Sequence, residues 1–450
     1  MRGYSGFLAP LLATAALAAL AAPVALPSAD TEPPGTVVVT YEYGAALRAA
    51  FRRYPARLVR SLPQIRSAVV QPNDPAEFAA RASSLPGIES VAPPVGRYPS
   101  AEPALTAMYS PGVPYEWQYT ATHSQRVAEA VLRAAASVTI AVVDTGADLT
   151  APDLAAKRPA TKNILNGGTD VRDTYGHGTF VASIAGGSIV NGEGIAGFGG
   201  DAKLMIVQAG RPNGSFTDVE EAAGILYAVD HGAKVINLSI GGTETSAIER
   251  RALRYAAEHG VLVVGAAGNE YEEGNAVEYP AAVLQPIGSN GRAGWGLSVG
   301  ATRKGGKRAY FSNTGSWLSL AAPGDAVFGA ISSSTGPRDW PRHRLPGSKH
   351  GLYGYSGGTS FSAPQVAGAA ALVWAANPTL SRQQVIWILK HTASGRGRWN
   401  SSLGYGILNV ARAVAMASAG GRIPPTLHIE AVLKLLKAHT TSTRHLPPQE

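Results

Sequence analysis

The sequence predicts an α/β protein whose main domain has a mostly parallel sheet with helices on both faces, preceded by a small α+β domain. Between about residues 115 and 417, nearly continuous apolar strand patterns alternate with amphipathic helical patterns, which is typical of a parallel sheet covered on both sides. Residues 36–95 have a shorter alternation of their own. A proline-rich joint, residues 96–114, separates the two regions.

The chain starts with a pattern typical of a secretory signal peptide. Arg2 is followed by an apolar run from Phe7 to Ala22 that ends in small residues. A retained membrane anchor is the weaker alternative, because the run is short for a span, contains Pro10 and lacks a basic flank on its far side. We expect residues 1–22 to be removed, and the protein to be secreted with no stable membrane anchor.

The composition excludes some classes of function. The chain has 450 residues, of which 45% are hydrophobic and 16% charged, so a sizeable globular core is expected. The formal net charge is +8, but the basic residues are scattered, without a basic block or zinc-ligand spacing, and we expect no nucleic-acid partner. There is no cysteine, so a secreted form must be stabilised by its core or by bound ions rather than by disulfides.

The small domain has its elements in a simple order. "TVVVTYEY" predicts a strand, and "AALRAAFRRYPARLVRSL" has helical spacing throughout. "SAVVQP" predicts a strand, "PAEFAARASSL" a short helix and "GIESVAPP" a closing strand, which together give a small open sheet with helices on one face. The joint that follows is expected to be exposed and cleavable.

The main domain alternates strands and helices. "VTIAVVD", "KLMIVQA", "KVINLSI" and "VLVVGAAGN" predict strands, with helices from about His177, over "DVEEAAGILYAVDHGA" and over "SAIERRALRYAAEHG". Ligands of such sheets bind beyond the carboxyl ends of the strands, where Asp144 ends one strand and Asn269 another. In the tail, residues 418–450, "LHIEAVLKLLKAH" predicts one amphipathic helix.

Asp144 begins the tripeptide Asp-Thr-Gly, which permits more than one catalytic interpretation. An aspartic peptidase needs a second carboxylate, and the nearest similar tripeptide, Asn313–Gly315, lacks it. Ser298 lies in a G-x-S-x-G pattern, Gly296–Gly300, but a strand and turn pattern follows it where a hydrolase nucleophile would be followed by a helix. Neither alternative explains the sequence well.

A histidine and a serine complete a different constellation. His177 lies in "YGHGTFVASIAGG" at the start of a helix, and Ser360 lies in "GGTSFSAPQVAGAAALVWAA", where Pro364 is tolerated in the first helical turn. Alone, Ser360 fits an N-cap. With the blocks "VVDTGAD", "GHGTFVAS" and "GTSFSAP" in the order Asp, His, Ser, the sequence resembles the subtilisin-like serine peptidases (subtilases) over about residues 105–417.

The resemblance implies a serine endopeptidase that needs no cofactor for catalysis. Ser360 would attack the peptide carbonyl, His177 would take its proton, and Asp144 would orient the imidazole. Asn269 would stabilise the oxyanion together with the backbone N–H of Ser360. A non-catalytic binding module on the same scaffold is the alternative, but it would be expected to lack one of these residues, and none is lost.

The resemblance also implies where substrate and metal bind. "NLSIGG" resembles the strand that pairs with an extended peptide, and small residues opposite it imply a roomy, apolar primary pocket with Glu270 at its rim, where a basic side chain could also be accepted. Residues 285–296 and 334–351 look like insertions in surface loops. The implied residues are Ser239, Ile240, Gly241 and Gly242 for the strand, Ala266, Ala267 and Gly268 for the pocket, and Asp153 and Asn191 for a structural calcium ion.

Residues 36–95 resemble the family's N-terminal inhibitor propeptide, an α+β ferredoxin-like domain, most clearly in "LPGIESVAPP". The resemblance implies a zymogen whose partners are protein or peptide substrates and its own propeptide, with the mature enzyme a monomer. We expect the maturation cut between about Gly96 and Ala107.

Overall fold

The computed structural model describes most of both predicted domains. The predicted signal peptide, residues 1–22, lies outside the described residues, as do residues 100–114 of the predicted joint, residue 115 and residues 421–450 of the predicted tail. The described residues are 33–99, 116–192, 194–343 and 351–420.

The N-terminal domain is a four-stranded antiparallel sheet with two helices. Its strand order is β2-β3-β1-β4, and its small core is made by residues such as Val39, Ala50 and Phe78. Its elements are β1 (Val37–Tyr41), α1 (Gly44–Arg53), β2 (Ala56–Leu62), β3 (Ser67–Pro72), α2 (Pro75–Ala82) and β4 (Ile88–Ala92).

One helix of this domain is shorter than the sequence predicts. The helical spacing extends from Ala45 to Leu62, but α1 ends at Arg53 and the chain from Ala56 onward forms β2. The cause is Pro55, because its ring disfavours helical backbone at the residue before it. Helical spacing alone therefore predicts one helix where the structure has a helix followed by a strand.

The main domain, from about residue 115 to 417, contains a seven-stranded parallel sheet in the order β14-β13-β12-β10-β6-β8-β7. In β6, Ile140 and Val142 pack into one apolar cluster while Ala141 and Val143 pack into the other, so the strand is buried on both faces. This is the predicted doubly covered sheet. Its strands are β6 (Thr139–Asp144), β7 (Ala160–Asn163), β8 (Lys203–Gln208), β10 (Val235–Leu238), β12 (Leu262–Ala266), β13 (Leu297–Thr302) and β14 (Leu320–Pro323).

Two pairs of helices cover the sheet. The helices α6 (His177–Gly186) and α10 (Thr359–Ala376) pack on one face, and α7 (Asp218–Asp230) and α8 (Ala247–Glu258) pack on the other. Of the described residues, no helix is long and apolar enough to cross a bilayer. The remaining helices are α3 (Trp117–Ala121), α4 (Glu129–Ala134), α5 (Pro152–Ala155), α9 (Ala281–Leu284), α11 (Arg382–Thr392) and α12 (Val410–Ser418).

Short strands complete the domain. A three-stranded sheet in the order β11-β5-β9 combines β5 (Gly96–Pro99), from the predicted joint, with β9 (Phe216–Thr217) and β11 (Ile240–Gly241) of the main domain. A separate hairpin pairs β15 (Val327–Ala330) with β16 (Tyr353–Ser356).

The N-terminal domain sits on helices α7 and α8. Val38, Leu62 and Val69 of its sheet belong to the same apolar cluster as the side chains of these helices. Arg251 of α8 donates from Nη1 to the backbone carbonyls of Ile65 at 2.7 Å, Arg66 at 2.8 Å and Tyr41 at 3.2 Å, and it pairs with Glu89. The Gln64 side-chain amide also donates to Asp230 of α7 at 3.2 Å. The two domains are therefore joined by an apolar face and by polar contacts of Arg251 and Gln64.

Two segments predicted as surface-loop insertions are partly buried. In 285–296 the side chain of Gln285 is buried and accepts hydrogen bonds from Lys390 at 2.7 Å and Ser319 at 3.0 Å. In 334–351, of which 344–350 lie outside the described residues, the Trp340 indole donates to the Tyr175 carbonyl at 2.9 Å. The surface-loop prediction is therefore wrong for Gln285 and Trp340, which the sequence could not show because their partners are distant along the chain.

Candidate active site

Asp144 and His177 form a buried hydrogen-bonded pair. Asp144 ends β6 and His177 begins α6, and the His177 Nδ1 atom lies 2.8 Å from Asp144 Oδ1. The same carboxylate oxygen accepts the Thr145 backbone N–H at 2.7 Å. Both side chains are essentially excluded from solvent. The carboxylate therefore fixes the imidazole so that its other nitrogen is the one available for proton transfer.

Asp173, which the sequence analysis did not single out, holds the two loops of this pair together. Its carboxylate accepts hydrogen bonds from the Thr145 hydroxyl at 2.9 Å, the Gly176 N–H at 2.7 Å and the Thr179 hydroxyl at 2.6 Å. Burial raises the pKa of Asp173, which the hydrogen bonds counteract. The loop after β6 also approaches the first turn of α6 closely at Gly178, where a Cβ would lie 2.2 Å from the Gly146 carbonyl oxygen.

Ser360 lies in the first turn of α10, next to the predicted substrate strand. Its hydroxyl donates to the Ser239 carbonyl at 3.2 Å, and the Ser239 hydroxyl donates to the Ser360 carbonyl at 2.7 Å. Pro364 lies in the second turn, not the first as predicted, and it lacks the N–H that would bond the Ser360 carbonyl. Ser239 supplies that missing hydrogen bond. The ring of Phe361, the next residue, is 5.6 Å from the His177 ring.

Asn269 is oriented by the residue before Ser360. Its Oδ1 accepts the Thr359 backbone N–H at 2.9 Å and the Thr359 hydroxyl at 3.0 Å, and that hydroxyl accepts the Gly268 N–H at 3.1 Å. With the amide oxygen held this way, the NH₂ group points to the opposite side of the amide. The strand β12 ends at Ala266, so the prediction that Asn269 ends the strand is wrong by three residues. Gly268, at φ 103°, turns the chain between them.

The predicted substrate strand has an extended chain beside it. In the antiparallel register between β11 and β5, Ile240 lies opposite Pro99 and Gly241 opposite Tyr98. On its other side β5 pairs with β9, with Arg97 opposite Phe216. The first residues of the predicted joint therefore lie as a middle strand, beside the segment that was predicted to bind substrate. Arg97 and Pro99 are buried there, so the expectation that the joint is exposed is wrong for this part.

The predicted primary pocket is less apolar than expected. Ala266 and Ala267, which were predicted to line the pocket, are both buried. Glu278, a buried residue that the sequence analysis missed, lies against the pocket at both Gly241 and Gly268: a Cβ would lie 2.0 Å from its Oε2 at the first position and 2.9 Å from its Cδ at the second.

Glu270, expected at the rim of this pocket, is engaged by its neighbours. Its Oε2 accepts the Asn269 backbone N–H at 2.7 Å and the Asn313 side-chain amide at 3.0 Å. Gly242, the last residue of the predicted strand, pairs with Tyr279 through two backbone hydrogen bonds of 2.9 and 3.0 Å. The Glu270 carboxylate is therefore already bound by two hydrogen-bond donors, Asn269 and Asn313.

A second buried ionic cluster lies beside β5. Arg97, which is fully buried, reaches between α7 and α8, where its Nε lies 3.1 Å from Glu221 and its Nη2 pairs with Glu249. Asp218 accepts the Val95 N–H at 2.9 Å. The sequence analysis missed this cluster. The available signal was a glutamate at a core-facing position of each amphipathic helix, four residues before an apolar one.

The electrostatics of this cluster are unusual. Burial acts to lower the pKa of Arg97, but Glu249, Glu221 and Asp218 outweigh it and raise that pKa above its ordinary value. Burial raises the pKa of all three carboxyl groups, that of Glu221 to about 8. Three acids therefore surround one base in this cluster.

The predicted calcium residues are close together but are engaged in hydrogen bonds. Asp153 Oδ1 accepts the Asn191 side-chain amide and the Ile195 N–H, each at 3.1 Å, and Oδ2 accepts the Tyr353 hydroxyl at 2.9 Å. Burial raises the pKa of Asp153 to about 6. Calcium takes six to eight oxygen ligands, and no group of three or more His, Cys, Asp or Glu side chains suited to a metal occurs among the described residues. This arrangement does not fit calcium, and no step below uses a metal.

The two rejected nucleophile and acid candidates lie elsewhere. Ser298 is a buried residue within β13, not at a strand-to-helix turn, as the sequence indicated. Asn313 is buried and donates to Glu270 at 3.0 Å and to the Ala276 carbonyl at 3.0 Å. Ser298 therefore lies within a strand rather than at a nucleophile turn, and Asn313 supplies no second carboxylate.

A parallel α/β sheet with an aspartate–histidine pair beyond one strand and a serine at a helix N-terminus is the arrangement of a serine peptidase. Comparison with known proteins agrees. The profile of the subtilase family matches residues 135–406, and that of the fervidolysin N-terminal prodomain matches residues 28–94. The chain belongs to the subtilase family, and it is a subtilisin-like serine peptidase with a prodomain.

Individual relatives support this assignment. A thermophilic serine proteinase from Bacillus sp. (strain AK1) is 30% identical over 364 residues, covering 79% of this chain and 83% of that protein. Fervidolysin from Fervidobacterium pennivorans is 35% identical over 293 residues, covering 61% of this chain and 40% of that protein. The crystal structure of fervidolysin, described as a keratinolytic enzyme related to subtilisin, superposes with a TM-score of 0.70 at 28% identity, covering 87% of this chain and 62% of that one.

Proposed function

We propose that the protein is a secreted serine endopeptidase, made as a zymogen, that cuts peptide bonds with Asp144, His177 and Ser360. The observation that carries the proposal is the position of β5. This strand is an extended polypeptide segment paired with β11. The residue just before β11 is Ser239, whose carbonyl accepts a hydrogen bond from the Ser360 hydroxyl. An extended peptide is thus already bound beside the nucleophile, as a substrate would be.

The chemistry follows from the geometry of the side chains. His177, held at Nδ1 by Asp144, takes the Ser360 hydroxyl proton as the serine oxygen attacks the peptide carbonyl. The imidazolium that forms is stabilised by the ionised carboxylate, and it then protonates the leaving amine. Water, activated by the neutral imidazole, hydrolyses the acyl-enzyme and regenerates the serine.

The oxyanion of the tetrahedral intermediate needs two donors. The Asn269 NH₂ group is aimed by the two hydrogen bonds that Thr359 donates to the amide oxygen. The second donor is the Ser360 backbone N–H, in the first turn of α10, where N–H groups have no partner within the helix. Both donors are fixed before the reaction, so little reorganisation is needed when the charge develops.

We further propose that the prodomain inhibits the enzyme until Ser360 cuts the joint. In the antiparallel register, each step forward along β5 is a step back along β11, and Pro99 lies opposite Ile240, the residue after Ser239. A peptide bound in this register would present its next residue to Ser239, beside the nucleophile. The cut is therefore expected just after residue 100, within the predicted interval from Gly96 to Ala107. An inhibitor bound along the substrate edge competes directly with substrate.

The test compares two serine variants of the full chain, expressed in a host without other secreted peptidases. Ser360→Ala should accumulate as an uncut precursor, while Ser298→Ala, a matched buried serine, should be processed like the wild type. N-terminal sequencing identifies the cut, and casein hydrolysis reports activity. A Ser360→Ala chain trimmed at the same bond as the wild type would contradict self-cleavage, and one that hydrolyses casein would contradict the assignment of the nucleophile.

Secretion is proposed from the signal pattern of residues 1–22. The expected result is that active enzyme collects in the medium, and that deletion of these residues retains it in the cell. A deletion variant exported as efficiently as the full chain would contradict the signal assignment. A monomer without nucleic-acid partners stays a prediction, which gel filtration with and without added DNA would check.

A further inference from the structure

The cluster around Arg97 lies at a position that a substrate side chain would occupy. The residue belongs to β5, the segment that fills the substrate edge between β9 and β11. Its guanidinium contacts two glutamates and its own neighbour, with Nη1 donating to the Gly96 carbonyl at 2.9 Å. Arg97 therefore occupies this pocket as a substrate residue would. Its side chain is bound by the two glutamates, and its backbone belongs to the strand that pairs with β11.

All three acids of the pocket belong to the peptidase domain. Asp218 and Glu221 are on α7 and Glu249 is on α8, whereas Arg97 comes from the joint that maturation is proposed to cut. When β5 leaves, the pocket keeps its carboxylates and loses its cation. Glu221 and Glu249 are fully buried, and Glu221 Oε1 has no hydrogen-bond partner among the described residues even with Arg97 bound. A vacated pocket of this kind favours a new cation.

We propose that the mature enzyme selects an arginine at the fourth residue before the bond it cuts, through Glu221 and Glu249. The inference deepens the proposed function and rests on it. The position follows from the register: if the cut follows residue 100, Arg97 is the fourth residue before the cut bond. Substrates are then polypeptides that carry an arginine at this distance from the cut.

The geometry favours arginine over lysine. Two different nitrogens of the guanidinium meet two carboxylates on two different helices, and a planar fork supplies such donors without bending. A lysine ammonium offers one point charge on a flexible stem, so it can satisfy one glutamate well but not both. Neutral side chains leave the buried acids without a cation, and we expect them to bind least well.

The experiment uses the mature wild-type enzyme and four fluorogenic peptides that differ at one residue. The parent peptide contains Gly-Arg-Tyr-Pro-Ser-Ala from the joint, and the others carry lysine, leucine or citrulline in place of the arginine. Citrulline has nearly the shape of arginine without its charge. We expect kcat/KM to fall about 10- to 100-fold from arginine to citrulline, the size expected when a buried ion pair loses its cation, with lysine in between.

Variants of the pocket show whether these acids cause the preference. Glu221→Leu and Glu249→Leu should each reduce the ratio of kcat/KM between the arginine and leucine peptides by about 10-fold. Glu244→Leu is the matched control, because Glu244 is an exposed acid five residues from Glu249, and it should leave the ratio unchanged. If a pocket variant fails to fold, the citrulline comparison on the wild type still decides the question.

The outcomes separate the inference from the proposed function. Casein hydrolysis with equal kcat/KM for the arginine, citrulline and leucine peptides would overturn the inference alone. A ratio lowered as much by Glu244→Leu as by Glu249→Leu would also overturn it, because general negative charge would then explain the preference. No hydrolysis of casein or of any peptide would contradict the proposed function, and the inference with it.

Discussion

The cleft contains two buried charged clusters, and they differ in how they are held. Asp144 and His177 are both in the peptidase domain, and the surrounding loops supply their hydrogen bonds. Arg97 comes from another part of the chain than Glu221 and Glu249, and the cluster it forms lasts only while β5 stays in place. Under the proposed maturation, the first cluster is permanent, whereas the second belongs only to the zymogen.

Burial serves proton transfer in the first cluster and the binding of an arginine in the second. In the permanent cluster one carboxylate meets one imidazole, and a third group, Asp173, fixes the loops, so the geometry is ready for proton transfer. In the temporary cluster Glu221, Glu249 and Asp218 surround a single arginine, and burial raises the pKa of each acid. An excess of buried acid makes the bound arginine favourable and makes its loss costly.

The largest expected effect comes from breaking the permanent cluster. Asp144→Asn keeps the size of the side chain but presents the wrong group to His177 Nδ1, so the imidazole is held in the wrong tautomer. We expect kcat to fall by about 10⁴-fold, a magnitude taken from the triads of trypsin and subtilisin rather than derived from this structure. Steady-state kinetics on the parent peptide measures it, with Asp170→Asn, an exposed aspartate, as the control. A loss below 10-fold would contradict the role of Asp144.

The next-largest expected effect comes from removing the proposed oxyanion donor, Asn269. Asn269→Ala removes a donor that meets charge present only in the transition state, so kcat should fall and KM should change little. We expect a loss of about 10²- to 10³-fold, the size known for the same kind of donor in subtilisin and borrowed from there. The kinetic split decides the matter, because an equal loss carried wholly by KM would mean that Asn269 binds substrate instead.

The two clusters also differ in how far the sequence predicts them. Asp144, His177 and Ser360 each lie in a short block of small residues whose order identifies the family, and the parallel sheet follows from alternating apolar strands and helices. The Arg97 cluster depends on residues 124 and 152 positions apart. No local pattern predicts that pairing, because Glu221 and Glu249 look like ordinary members of amphipathic helices.

Two predicted element boundaries are wrong, and in each case a nearby residue is the cause. Pro55 ended α1 inside a continuous helical spacing, and β12 ended three residues before Asn269 because Gly268 turns the chain with positive φ. The prediction of an apolar primary pocket considered only the small residues of its walls. Glu278 follows Gly241 by 37 residues in the sequence, but its side chain lies against Gly241 in the structure. Wall residues can be predicted from a motif, but the side chain that fills the space behind them cannot.

The smallest expected effect separates two ways of retaining the prodomain: the contacts of its sheet with α8, and the binding of β5 beside β11. Arg251→Ala removes hydrogen bonds to three prodomain carbonyls and the pair with the half-exposed Glu89, but leaves the Arg97 pocket intact. Surface ion pairs contribute little and charged hydrogen bonds somewhat more, so we expect the cut prodomain to leave about 10-fold faster. The measurement is the lag before casein hydrolysis after the joint is cut, with Arg250→Ala, an exposed neighbour on α8, as the control. A lag shortened equally by both variants would mean that net charge, not the contacts of Arg251, retains the prodomain, and an unchanged lag would assign retention to β5 and Arg97.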